Sequence, residues 1–244
     1  MAISLTAATR PSVRPSYPYR CDLAFGDGLA LSVDAGCVHF HHATPLRTLS
    51  SALVGEGFSG SGHFCNFHVD KDYAGHAPRA DLLDWLARCG LDGEQSVAMM
   101  TAVSPAHLAL EAADAGERSV LAAVTAGVGN AVDITAPALG DPRPVVGTIN
   151  ILVFIDGHLD DGAMVNAVQS VTEAKVQALG SWGVRDSHTG TPATGTSTDC
   201  LAIAATQRGD PTPYAGSGTR LGRAIGDAVY RAVLASLAMT EEAR

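Results

Sequence analysis

The chain has 244 residues, of which 46% are hydrophobic and 17% charged, with a formal net charge of −9. That balance suits a folded chain with a sizeable core and excludes a disordered one. The acidic surplus, with no basic stripe interleaved with aromatics, argues against nucleic acid as a partner. Runs such as INILVFI at 149–155 are too short to cross a bilayer, so no membrane insertion is expected. The five cysteines, Cys21, Cys37, Cys65, Cys89 and Cys200, are odd in number and never spaced C-x-x-C. They point to free thiols in a reducing cytoplasm, with neither a disulfide frame nor a zinc site.

Residues 1–19 hold three prolines without a long apolar stretch and are expected to be a mobile leader. Residues 20–244 are read as one domain. Within it, CDLAF and LALSV flank GDG as a hairpin, and CVHFHHA continues as a strand with His39 and His41 on one face. The Gly/Ser-rich SSALVGEGFSGSGHFCNFHV reads as a functional loop or strained crossover. ADLLDWLARC at 80–89 predicts a helix with Leu82, Leu83, Leu86 and Ala87 inward and Gly90 as its stop. SVAMMTAVS and RSVLAAVTAG read as buried strands, and PVVGTINILVFID is the strongest strand signal, continuous and β-branched.

A helix is expected from Asp160 or Asp161, with Met164, Val168, Val171, Ala178, Leu179 and Trp182 on its apolar side. Asn166, Gln169, Ser170 and Glu173 fall opposite. A hydroxyl-rich loop, a strand at CLAIAATQ, a second loop YAGSGTRLG and a closing helix follow; Leu221, Ile225, Ala228 and Ala232 are its inner face. Strands and helices are mixed without strict alternation. The fold class is therefore α/β: a single layered domain of mixed β-sheets with packed helices, an αββα sandwich being one such arrangement.

Four local features carry chemistry. The loop TGTPATGTSTDC at 189–200 has six hydroxyl side chains in twelve residues, where an ordinary connection needs about 4–6 residues in all. Thr194, Thr196, Ser197 and Thr198 can donate and accept, and Gly195 permits a close approach. Lys175 is one of only two lysines, the other being Lys71, and it falls within the apolar stripe of its helix. A lysine so placed must find an anion, snorkel or lose its proton; Asp199 and Asp156 are the anions nearest in the pattern. Asn150, inside a buried strand, either binds a substrate amide or ties two strands together. TAGVGNAV at 125–132 lacks the third glycine of a dinucleotide fingerprint. His39 and His41 alone are weak evidence for a metal, so neither a metal nor a cofactor is expected.

In order along the chain, LSSA (49–52), CNFHVDKDY (65–73), VAMMTAV (97–103), TAGVGNA (125–131), GTINILVFID (147–156), VTEAKVQAL (171–179), TGTSTDC (194–200) and YAGSGTRLG (214–222) together resemble the adenosylcobinamide amidohydrolase (CbiZ) family. The resemblance spans roughly residues 20–235. It departs at 53–62, where LVGEGFSGSG replaces the family's usual Asn-Gly-Gly stretch. It implies hydrolysis of the amide joining aminopropanol to the corrin ring, giving adenosylcobyric acid for corrinoid salvage. The implied partner is a corrinoid small-molecule substrate, with a homo-oligomer left open. On that footing Lys175, Asp199, Thr196, Thr198 and Asp156 are the catalytic candidates. Asn130, Asn150, Thr194, Gly195, Ser197, Tyr214, Gly216 and Thr219 are the candidates for binding substrate. A fainter resemblance, to the β-peptidyl aminopeptidases, implies an αββα sandwich. Two rival readings are a corrinoid-binding accessory protein without hydrolysis and an amidase for another small amide.

Overall fold

The computed structural model describes residues 2–3, 17–137 and 147–242. Most of the expected leader, and the 144–146 part of the strongest strand signal, lie outside those residues. Nine strands of three residues or more are described: β1 Tyr19–Leu23, β2 Leu29–Val33, β3 Cys37–Ser50, β4 Gly57–His68, β5 Ser96–Thr101, β6 Ala109–Asp114, β7 Ser119–Ala126, β8 Ile149–Asp156 and β9 Cys200–Ala205. Three α-helices accompany them: α1 Pro78–Arg88, α2 Asp161–Trp182 and α3 Arg220–Glu242.

One long hairpin organises the rest. β3 and β4 pair antiparallel from Cys37↔Phe67 to Ser50↔Gly57, with the register broken between His41 and Leu46. A bulge of this kind bends the ribbon. Before the break β3 pairs with β2; after it, Arg47 to Ser50 pair with β9 on the same edge. The hairpin therefore belongs to two layers. One contains β1, β2 and β5, which runs parallel to β4. The other runs β6, β7, β8, β9, with β8 and β9 parallel and the remaining pairs antiparallel.

β8 shows why the chain folds this way. It is buried along almost its whole length because both of its faces are covered. Leu152 and Phe154 point between the layers, where they meet Phe40, Phe64, Leu31 and Val97. Ile151, Val153 and Ile155 point outward, against α2 and α3. By contrast β2 alternates buried and half-buried residues because only one face meets a core. Those helices lie close to the sheet through small side chains such as Ala163, Ala167, Ala228 and Ala232. On the far side α1 covers part of the first layer through Leu82 and Leu86, against Phe67 and Cys65. The order is helix, sheet, sheet, helices: an αββα sandwich.

Three local expectations are corrected. The Gly/Ser-rich 57–68 segment is a twelve-residue strand and not a loop, since pairing with β3 along its length, and with β5 from His63 on, outweighs the weak intrinsic preference of glycine and serine. In α1, Leu83 and Ala87 are exposed, because two residues a further 100° round leave the buried stripe. In α2, Ser170 is buried, its hydroxyl donating to Ala215 O at 2.8 Å. All five cysteines are free, and among the described residues no helix is long and apolar enough to cross a membrane.

Candidate active site

Strand direction gathers chemistry at one end of the sandwich. β4, β5 and β7 finish there, β8 and β9 begin there, and the bent hairpin returns Ser50 to it. The site is built where those ends meet.

Lys175, on α2, reaches Asp199 at the start of β9, with Nζ 2.5 Å from Oδ2. The lysine side chain is 14% exposed and the aspartate 17%. A largely desolvated pair of this kind is held by further hydrogen bonds. Oδ1 of Asp199 accepts from the Thr196 hydroxyl and from the Ile149 N–H at 3.2 Å. Gly195 is needed for the approach, since a Cβ there would lie 2.5 Å from Asp199 Oδ2 and 2.8 Å from Lys175 Nζ. The close approach foreseen for this glycine is thus made by the ion pair itself.

The hydroxyl-rich loop divides by function. Its first half is self-supporting: Asp186 accepts from the N–H groups of Asp133, Thr189 and His188, which hold its carboxyl down to about 2. Thr194 accepts from Ile134 N and donates to Val132 O. Gly195 and Thr196 then pair with Val132 and Ala131. This pairing places Asn130 against Ser197, whose Oγ accepts from Asn130 Nδ2 at 2.8 Å. The Thr198 hydroxyl donates to Gly147 O at 2.8 Å. Ser197 and Thr198 are exposed, whereas Thr196 is buried against Asp199.

Asn150 ties strands together. It is 2% exposed and sits between the layers, donating to Asn66 Oδ1 at 2.7 Å and Met100 O at 2.9 Å and accepting from Thr148. Asn66 in turn donates to Thr125. The network ties β4, β5, β7 and β8 together. Sequence patterning missed Asn66 and Thr125; their polar side chains within otherwise buried strands were the available signal.

The remaining candidates lie at the opposite end. Asp156 ends β8, about six residues or some 20 Å of strand from Asn150. It accepts from Thr206 at 2.8 Å and neighbours Arg208, which is paired with Asp27 at 2.6 Å. Tyr214, Gly216 and Thr219 precede α3 at that same far end. There Thr219 caps the helix by accepting from Gly222 N at 2.9 Å, and Gly222, having no side chain, makes room for the Gly216 carbonyl.

Lys175 and Asp199 themselves line only a narrow crevice of about 30 Å³, with Ile149, Val171 and Cys200; a larger cavity of about 500 Å³ opens at the same end of the sandwich, lined by His68, Lys71, Val103, Gly127, Gly129 and Gly147 among others. Four of the quoted motifs meet on it: CNFHVDKDY, VAMMTAV, TAGVGNA and GTINILVFID. Ser51, from LSSA, bonds Leu201 N at 3.1 Å next to Cys200. Burial raises the Cys200 thiol to about 11, so it is protonated at neutral pH and is no nucleophile. Among the described residues no group of three or more His, Cys, Asp or Glu side chains is arranged to hold a metal.

The fold is a layered α/β sandwich that joins an aspartate, a lysine and a threonine hydroxyl at one end. A family model, adenosylcobinamide amidohydrolase, matches residues 27–244. The chain belongs to that family, which is one of hydrolases. It is 30% identical over 175 residues to the adenosylcobinamide amidohydrolase of Halobacterium salinarum, covering 69% of this chain and 71% of that one. With that of Methanosarcina mazei it shares 30% over 186 residues, 72% and 83% of the two chains. An uncharacterized protein of Methanocaldococcus jannaschii is 36% identical over 97 residues, 39% of this chain and 38% of that one. Among solved structures, a Burkholderia sp. beta-aminopeptidase overlaps with a TM-score of 0.44 at 15% identity, covering 84% of this chain and 79% of that one.

Proposed function

We propose that this protein hydrolyses the amide linking aminopropanol to the corrin ring of adenosylcobinamide, releasing adenosylcobyric acid for corrinoid salvage. The observation that carries the reading is the family match over residues 27–244. The Lys175–Asp199–Thr196 cluster supports it by offering the parts that the reaction needs.

Amide hydrolysis needs a nucleophile, a proton carrier and stabilisation of an oxyanion. Enzymes lower such barriers by about 8–23 kcal/mol, and neutral hydroxyls alone supply too little. Thr196 is the better nucleophile of the two candidate threonines, because its hydroxyl already donates to Asp199, whereas that of Thr198 donates to a backbone carbonyl. In the proposed sequence Thr196 Oγ1 bonds to the carbonyl carbon as its proton passes to Asp199. The C–N bond then breaks, and the aminopropanol nitrogen takes that proton. Water, losing a proton to Asp199, attacks the resulting ester and returns the threonine. Lys175 fixes the carboxylate and puts positive charge near the developing oxyanion, a contribution of roughly 3–4 kcal/mol in comparable sites.

The test is direct. Purified protein is incubated with adenosylcobinamide, with and without a chelator, and adenosylcobyric acid and aminopropanol are followed by mass spectrometry. Both products are expected. Co-elution of intact corrinoid with the protein and no product would overturn the reading in favour of a binding protein.

A further inference from the structure

Asn130 is 6% exposed, yet its Oδ1 is buried without a hydrogen-bond partner. An unused buried acceptor has lost its hydration without replacement, so a fold keeps one where something else completes it. The other end of the amide is committed, since Nδ2 donates to Ser197 Oγ at 2.8 Å, one residue from Thr196. The oxygen abuts Gly147: a Cβ there would collide with it, and would lie only 3.0 Å from Gly129 N. Gly147 and Gly129 both line the 500 Å³ cavity. A second buried atom without a partner, Nδ1 of His68, belongs to a residue lining that same cavity. Of these two unfilled atoms only the Asn130 oxygen is bound to accept, and it lies against Gly147 at the cavity's edge, so it calls for a ligand with a hydrogen to donate.

Resting on the reading of the site as an amide hydrolase, we propose that Asn130 Oδ1 accepts the N–H of the scissile amide. This makes Asn130 the residue that selects a secondary amide over bonds lacking an N–H. The contact also orients the carbonyl, because fixing the N–H fixes the plane of the amide. Gly147 keeps the acceptor clear.

The experiment compares two substrates: adenosylcobinamide and the analogue in which an ester oxygen replaces the amide N–H. In Asn130→Ala, kcat/KM on the amide is expected to fall about 30-fold or more, and on the ester less than about 3-fold. Gly147→Ala should show the same asymmetry, and Asn130→Asp, which keeps an acceptor, should recover part of the amide rate. Equal losses on both substrates overturn the proposal, because they would show Asn130 donating to the carbonyl or merely supporting the loop. No loss on either also overturns it. Should Asn130→Ala fail to fold, Asn130→Asp and Gly147→Ala carry the comparison. Wild-type protein that turns over neither substrate sinks the hydrolase reading itself, and this outcome is separate from an active wild type with symmetric losses.

Discussion

At the scale of single residues, the structure turns one lysine into a testable centre. Lys175 and Asp199 are mutually satisfied and largely shielded. Lys175→Met replaces the charge with an apolar stem of similar length. It is expected to fold with a lowered melting temperature, since Asp199 loses its cation, and to lose at least about 100-fold in kcat; full turnover would remove Lys175 from the mechanism. Gly195→Ala should produce a similar loss by wedging the pair apart, since its methyl would meet both partners. Cys200 adjoins Asp199 in sequence but carries a thiol raised to about 11 by burial. Cys200→Ala should therefore keep kcat within about 3-fold, measured beside resistance of the wild type to iodoacetamide at neutral pH.

At the scale of elements, the outer face of the first layer stores a response to acid. His39 and His41 from β3 meet His63 from β4: His39 Nε2 lies 3.1 Å from His63 Nδ1, and the His41 and His63 rings stack at 4.5 Å. Arg20 and Asp22 of β1, Asp34, and the thiols of Cys37, Cys65 and Cys89 line the same groove. Burial first, then His63, His41 and Arg20, lower the His39 imidazole to about 4; burial and His41 lower that of His63. The folded protein thus resists a proton that the unfolded chain accepts near 6.5. Stability from these groups is complete above that pH and drains away as the pH falls towards 4. A loss on the order of 1–2 kcal/mol, after solvent screening, should appear as a lower melting temperature at acid pH. His39→Gln should flatten that slope; an unchanged slope would assign the effect elsewhere. Between the layers, Asn150→Ala strands Asn66 and Met100 O, and should cost about 2–4 kcal/mol in denaturant unfolding.

At the scale of the whole molecule, the sandwich has two polar ends. One holds Lys175, Asp199 and Thr196. The other holds Asp156, Thr206, Arg208, Asp27 and His42, joined by bonds such as His42 Nε2 to Asp27 at 2.7 Å. Asp156→Asn should lower stability by about 1 kcal/mol while leaving kcat within about 3-fold, whereas Asp199→Asn should abolish turnover and, by leaving Lys175 unpaired, also lower the melting temperature. The reverse pattern would move the active site to the far end.

The amino-acid sequence by itself determined the elements whose signal is local. β8 is legible as a continuous apolar run, α2 and α3 as 3.6-residue stripes, and Lys175 and Asp199 as charges out of place beside a loop too rich in hydroxyls. The family, too, follows from motif order alone. Only the tertiary structure decided which of these residues meet. Lys175 joins Asp199 and not Asp156 because strand length separates the two aspartates, a distance that no spacing along the chain reveals. Asn150 faces inward to Asn66 because a bulge at His41–Leu46 folds one hairpin over both layers. That bend depends on pairing between residues far apart in sequence, and pairing of that kind leaves no local trace.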